Sequence, residues 1–260
     1  MPEADLALLI DAAKAAGDIA KPFFQNDAKK WDKEDGTGPV TEADLAVNSY
    51  LEDTLRAARP DYGWLSEESK DTDERLSKDR VFIIDPIDGT RSFIHGAKTW
   101  AHSIAVAEAG DIIAAVILLP MLDLMFTAHL GGGAHLNGET ISPSPHADMQ
   151  TAQVLAAKPA MDAQHWKAAA APTFNRDHRP SLAYRLSLVA QGRFDAMLTF
   201  RPSWEWDIAA GALIASEAGA MISDKTGAPL RFNSSDPRLN GVVAAGPNLH
   251  PELLSHLASA

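Results

Sequence analysis

The 260-residue chain contains no cysteine. That removes disulfides, thiolate metal sites and cysteine nucleophiles together. Long apolar runs are missing as well: no stretch of ~18 or more apolar residues occurs, so no membrane-spanning helix is expected. Basic residues are outnumbered. Lys+Arg total 23 and Asp+Glu 35, a formal charge of −12. So acidic a surface repels nucleic-acid backbones and argues against a nucleic-acid partner. It also repels small anions, unless Arg, Lys or a bound metal ion supplies local positive charge. The nine histidines show no His-x-x-x-His or His-Glu-x-x-His spacing, which argues against zinc. There is no Gly-x-Ser-x-Gly elbow, P-loop, internal repeat or low-complexity segment. The opening Met1-Pro2-Glu3-Ala4-Asp5 is acidic and no signal-peptide pattern follows, so a cytoplasmic address is expected.

A hydrophobic share of 46% is ample for a buried core, and the length suits one large domain or two closely joined lobes. Leu6, Leu9, Ile10, Ala13, Gly17, Ala20 and Phe24 recur at helical spacing and predict an opening amphipathic helix. Thr41-Glu42-Ala43-Asp44 opens a second helix running toward Ala58, with Pro60 just beyond. The charged stretch Glu67–Asp79 reads as loop. Val81–Ile84 then reads as a buried strand ending at Asp85-Pro86, and further strands are expected at Ser103–Ala107, Ile112–Leu119 and Leu124–Ala128. Gly131–Gly133 and Asn137-Gly138 mark turns around a short hairpin. Beyond Ser142–Thr151 strands and helices alternate. Strands are expected at Gln153–Ala157, Phe194–Thr199, Met221–Ser223 and Val242–Ala245. Helices are expected at Met161–Ala171, Leu182–Gln191, Asp207–Ala218 and from Pro251. The pattern gives an α+β lobe over residues 1–145 and an α/β lobe over 146–260.

The segment richest in chemistry is Asp85-Pro86-Ile87-Asp88-Gly89-Thr90. Two carboxylates lie at the end of a buried strand, with Pro86 fixing the backbone between them. Hard oxygen ligands of this kind suit Mg²⁺. Free N–H groups after the turn could hold a phosphate oxygen. An ordinary Asp-Gly turn is the competing explanation. Taken alone, Glu67-Glu68 reads as a solvated acidic run, Asp207 as a helix-start acid and Asp44 as the partner of Thr41 in a capping box. Gly131–Gly133 is a weak candidate for a phosphate loop and a better one for a turn.

Taken together, these runs resemble the inositol monophosphatase superfamily. Asp85–Thr90 is similar to its DPIDGT motif and Trp206-Asp207-Ile208-Ala209-Ala210-Gly211 to its WDxAAG signature. Pro39–Asp44 and Ser66–Ser69 match its upstream pattern in the same order. The resemblance implies a layered α-β-α-β-α sandwich, a homodimer, and Mg²⁺-dependent hydrolysis of a small phosphorylated metabolite. By family position, Glu67, Asp85 and the Ile87 carbonyl hold one Mg²⁺, and Asp85, Asp88 and Asp207 a second. Asp44, Glu67 and Thr90 orient the attacking water, where the family pattern also allows a third, weaker ion. The Gly89 and Thr90 amides hold the phosphate. Inositol-specific members carry an acid on the strand before WDxAAG, whereas Ala196–Phe200 has none. Pro202–Asp207 and Tyr184–Arg193 are similar instead to bacterial 3′(2′),5′-bisphosphate nucleotidases, with Arg185 in place of a lysine expected near a second phosphate. A bisphosphate nucleotide is therefore the preferred substrate, ahead of inositol-1-phosphate and histidinol phosphate. The alternative of another class is a regulatory binding protein that keeps the fold without turnover, which the full set of acids disfavours.

Overall fold

The computed structural model describes residues 1–26, 28–33, 36 and 38–258. The expected stretch from Asn26 to Pro39 falls partly outside them. Six α-helices are described: α1 (Pro2–Ala20), α2 (Glu42–Ala58), α3 (Thr90–Ile94), α4 (Leu182–Ala190), α5 (Glu205–Glu217) and α6 (His250–His256). A hairpin, β1 (Lys30–Asp32) and β2 (Pro39–Thr41), precedes α2. The first large sheet holds β3 (Gly63–Ser66), β4 (Arg80–Asp88), β5 (Ala101–Glu108), β6 (Asp111–Leu119), β7 (Leu124–His129), β8 (Ala134–Leu136) and β9 (Glu139–Thr140), in that spatial order. The later strands are β10 (Gln153–Ala156), β11 (Asn175–Asp177), β12 (Ala196–Thr199), β13 (Ser203–Trp204), β14 (Met221–Ser223), β15 (Arg238–Leu239) and β16 (Val242–Ala245). Five of them form a second sheet in the order β11-β10-β12-β16-β14.

Alternation along the strands decides the layering. Phe82, Ile84, Ile104 and Val106 point to one face of the first sheet, where Leu9, Ala13, Val47 and Leu51 of α1 and α2 cover them. Val81, Ile83, Ala105 and Ala107 point to the other, against α4 and α5. Those two helices also cover Leu155, Met197 and Ala244 of the second sheet, whose far face packs on Leu249 and Leu253 near α6. The result is the α-β-α-β-α sandwich. Helix α5 is apolar around most of its circumference because sheets flank it on both sides, which is why Ile208, Ala209, Ala210, Ile214 and Ala215 are all buried. The largest buried cluster draws on residues from both sides of position 145.

Most expected elements form within a residue or two of their sequence limits. Three do not. β4 does not stop at Asp85-Pro86 but runs on to Asp88 through an irregularity in its pairing with β5. Helix α5 begins two residues early, at Glu205. Met161–Ala171 is not an α-helix. It holds only short 3₁₀ turns, at Lys158–Met161 and Ala163–His165. There the backbone bonds to the chain end instead: Lys167 N–H donates to the His256 carbonyl and Ala258 N–H to that of His165. Tertiary pairing outweighs the helical preference of that alanine-rich stretch. Among the described residues no helix is long and apolar enough to cross a membrane.

Candidate active site

Asp85 and Asp88 lie near the end of β4, and Asp207 lies in the first turn of α5. Each offers a carboxylate oxygen within 4.8 Å of the other two. The grouping is held from several sides. Ser181, the N-cap of α4, donates its hydroxyl to Asp88 Oδ2 (2.6 Å), and the Ala183 N–H donates to the same oxygen (2.7 Å). Ser103 Oγ donates to the Trp206 carbonyl (2.9 Å), pinning the start of α5 to β5.

Three acids in so small a volume strain one another. Burial, then the charges of Glu67, Asp88 and Asp207, pushes the Asp85 carboxyl well above the ordinary range. Burial, then Asp88 and Glu67, does the same to Asp207. Asp88 is pushed by burial to about 6, against the bonds from Ser181 and Ala183 that favour its charged form. Asp85 Oδ1 is buried with no hydrogen-bond partner. An orphaned carboxylate oxygen in an all-oxygen acid cluster is costly without a counter-charge. This donor set fits a hard divalent cation.

Asp44 is wholly buried and both of its oxygens are engaged. Oδ2 accepts from the Thr41 N–H (2.9 Å) and the Thr41 hydroxyl (2.5 Å), completing a capping box. Oδ1 accepts from Thr90 Oγ1 (3.2 Å). Thr90 Oγ1 also lies 3.2 Å from the Ile87 carbonyl. The helix cap expected from sequence and the link to Thr90 therefore coexist in one residue. Burial raises the Asp44 carboxyl to about 6 despite the Thr41 bonds. Gly89 takes a left-handed φ of +99° between Asp88 and Thr90. A side chain there would be strained by that backbone conformation, although its Cβ would make only ordinary contact with the Thr99 carbonyl at 3.4 Å.

Glu67 stands outside the 4.8 Å grouping but lines the same cleft. Lys33 Nζ bridges Glu67 Oε1 and Glu68 Oε1, both at 2.8 Å. Burial lowers the Lys33 pKa, but the two glutamates outweigh that and leave it raised. Glu68 is no solvated charge: burial, then Glu67, lifts it to about 7. The cleft has a volume of about 710 Å³. Its lining also includes Arg185, His178, Arg201, Phe200 and His165. Arg185 is buried. Its guanidinium donates to the Arg179 and Pro180 carbonyls and to His178 Nε2. Burial lowers its pKa to about 10, against the pull of Asp88 and Asp207.

All the site residues expected from sequence reach this cleft or touch a residue lining it. The Gly131–Gly133 segment does not. The amides of Gly131 and Gly133 are filled by the protein's own Glu217 carboxylate, both at 2.9 Å, so that segment is a turn.

A family model described as "Inositol monophosphatase family" matches residues 1–260. The chain belongs to the inositol monophosphatase family. It is 33% identical over 263 residues to "Nus factor SuhB" of Escherichia coli (strain K12), covering 97% of this chain and 95% of that protein. It is 31% identical to "Inositol-1-monophosphatase" of Caulobacter vibrioides, covering 97% of this chain and all of the relative. The crystal structure of extragenic suppressor protein suhB from Bartonella henselae superposes with a TM-score of 0.83 at 27% identity, covering 97% of each chain. The protein is thus a metal-dependent phosphatase of this family, acting on a small phosphorylated substrate.

Several residues around the site were not singled out from the sequence. Ser181 carried a signal, a serine directly before a helical run. Lys33, Arg201, His178 and Ser103 carried none, because only the packing brings them to the acids. Glu205 was seen only as part of a short motif. It is buried, accepting from the Asn233 N–H (2.6 Å), the Ser234 N–H (3.1 Å) and Ser234 Oγ (3.0 Å). Buried Arg75 binds the same turn through Asn233 Oδ1 (2.7 Å) and the Ser234 carbonyl (2.9 Å). His102 is also buried, and burial, against its bond to the Pro86 carbonyl, lowers its pKa to about 4, so the ring is neutral.

Proposed function

We propose that the protein is a Mg²⁺-dependent phosphomonoesterase whose preferred substrate is a 3′(2′),5′-bisphosphate nucleotide. The observation that carries the metal reading is the Asp85–Asp88–Asp207 cluster, its two β4 acids buried and one Asp85 oxygen orphaned. Glu67, Asp85 and the Ile87 carbonyl are assigned to one Mg²⁺, and Asp85, Asp88 and Asp207 to a second. Bound there, divalent ions neutralise phosphate charge, lower the pKa of water and steady the leaving oxygen. Asp44 and Thr90, joined by their 3.2 Å hydrogen bond, orient the attacking water together with Glu67. The Gly89 and Thr90 amides receive a phosphate oxygen. Residues 1–145 and 146–260 are read as lobes meeting at the cleft, one bringing Asp85 and Asp88 and the other Asp207.

The substrate preference is supported by the cleft's composition. Arg185, Arg201 and His178 supply donors for a second anionic group, and the β12 end offers Leu198, Thr199 and Phe200 rather than an acid for a polyol. The decisive experiment compares phosphate release from 3′-phosphoadenosine 5′-phosphate, inositol-1-phosphate and histidinol phosphate, with Mg²⁺ and with chelator. The bisphosphate should give the highest kcat/KM, and chelator should abolish all three activities. Preference for inositol-1-phosphate would place the protein with its relatives of that name. Absence of turnover on every phosphate would favour a binding role, a reading prompted by the relatives named Nus factor. The proposed homodimer is checked by light scattering.

A further inference from the structure

The two acids of β4 pose a geometric problem. Residues three apart in an unbroken strand project from opposite faces of the sheet. Yet Asp85 and Asp88 converge within 4.8 Å. The pairing with β5 resolves this: Asp85 lies opposite Ser103, and Asp88 opposite Ala101. Pro86 and Ile87 together therefore face one residue, His102, which is the two-against-one count of a β-bulge. Ser103 and Ala101 share a face of β5, so the bulge restores parity and turns both acids toward α5.

A bulge interrupts the ladder, and a buried polar group freed there needs another partner. The Pro86 carbonyl accepts from His102 Nδ1 at 2.5 Å. A carbonyl can only accept, so the ring hydrogen sits on Nδ1. His102 Nε2 is left buried and without a partner. The ring packs edge-on against Trp100, centroids 5.5 Å apart, and Trp100 packs on Phe24 and Phe93. An apolar side chain would fill this bed without leaving a nitrogen unsatisfied. What the imidazole adds is one N–H aimed at the bulge.

We propose that His102 is a positioning residue, whose Nδ1–H holds the Pro86 carbonyl and so locks the bulge that presets Asp85 and Asp88 on one face. This rests on the reading of those acids as metal ligands, but the bulge itself can be tested without metal. The variants are His102→Asn, whose amide nitrogen falls near Nδ1, His102→Gln, whose nitrogen falls near Nε2, and His102→Leu. Two quantities are measured: hydrogen exchange over residues 84–90 in chelator, and Mn²⁺ binding by calorimetry. Exchange in that segment should rise in the Leu and Gln variants and stay near wild type in Asn. Mn²⁺ affinity should fall in parallel, by about 10-fold or more in Leu and Gln, as for other groups that orient metal ligands. Wild-type exchange in His102→Leu, or an Asn variant as loosened as Gln, overturns the proposal. If His102→Leu does not fold, the Asn and Gln pair decides alone, since they differ chiefly in where the N–H falls. If the wild type binds no Mn²⁺, the metal reading fails, and the exchange data still decide the role of His102.

Discussion

In the cleft, buried Asp85 and Asp88 and half-buried Asp207 repel one another, with Asp85 Oδ1 unpartnered. Arg185, in the same lining, is also buried, but its guanidinium is already bonded to two loop carbonyls and to His178. The acids are incomplete without something from outside. The arginine is complete as it stands, and offers a substrate only its charge and its remaining donor capacity. A group that is unsatisfied by design should respond to mutation in an all-or-none way. One that is self-satisfied should respond by degree and by substrate.

The sharpest test of that contrast is Asp85→Asn. Turnover should vanish under saturating Mg²⁺, while the melting temperature in chelator should be no lower than wild type because a repulsive carboxylate is gone. Wild-type turnover in this variant would reduce the strand-end acids to turn formers. Next is Asp44→Asn, expected to stay folded and to lose ~10²-fold or more in kcat, because Asp44 is assigned to water orientation. Thr41→Ala is its control. Loss of the cap from the other end should cost about 1 kcal/mol in a denaturation experiment and leave kcat close to wild type. Matching stability losses with full turnover in both variants would return Asp44 to a purely capping role.

The metal-free protein should also reveal the acids through pH. Asp44 and Asp88 are raised to about 6 and Glu68 to about 7 in the fold, so the folded state binds protons more tightly than the unfolded chain. Their contribution is therefore greatest below the unfolded values, near pH 4, and is lost as pH rises through about 6 to 7. Asp44 and Asp88 would each account for at most about 3 kcal/mol. Melting curves in chelator should fall across this window, and Mg²⁺ should remove most of the fall. A flat profile in chelator would mean that burial and the neighbouring charges do not raise these acids as their packing indicates. The smallest and most selective effect belongs to the arginine. Arg185→Ala should raise KM for a bisphosphate nucleotide by roughly 10- to 100-fold, the loss of ~1.5–3 kcal/mol of charge-assisted bonding, and change KM for inositol-1-phosphate far less. Equal changes on both substrates would make Arg185 a loop support only.

The sequence by itself determined whatever depends on near neighbours in the chain. The capping box of Thr41 and Asp44, the buried run into Asp85, the left-handed Gly89 and the start of α4 at Ser181 follow from local sterics and local hydrogen bonding. So did the acid inventory, because its members stand in recognisable runs. Only the tertiary structure decided how the acids meet. Spacing alone puts Asp85 and Asp88 on opposite faces, and it is the mispairing of β4 with β5 that brings them together. Lys33 reaches Glu67 and Glu68 only through the hairpin before α2. Arg75 and Glu205, distant in sequence, grip one turn at Asn233 and Ser234. Met161–Ala171 gave up its helical pattern for bonds to the chain end. In each case the deciding partner lies outside the local run, and only the tertiary fold brings it into reach.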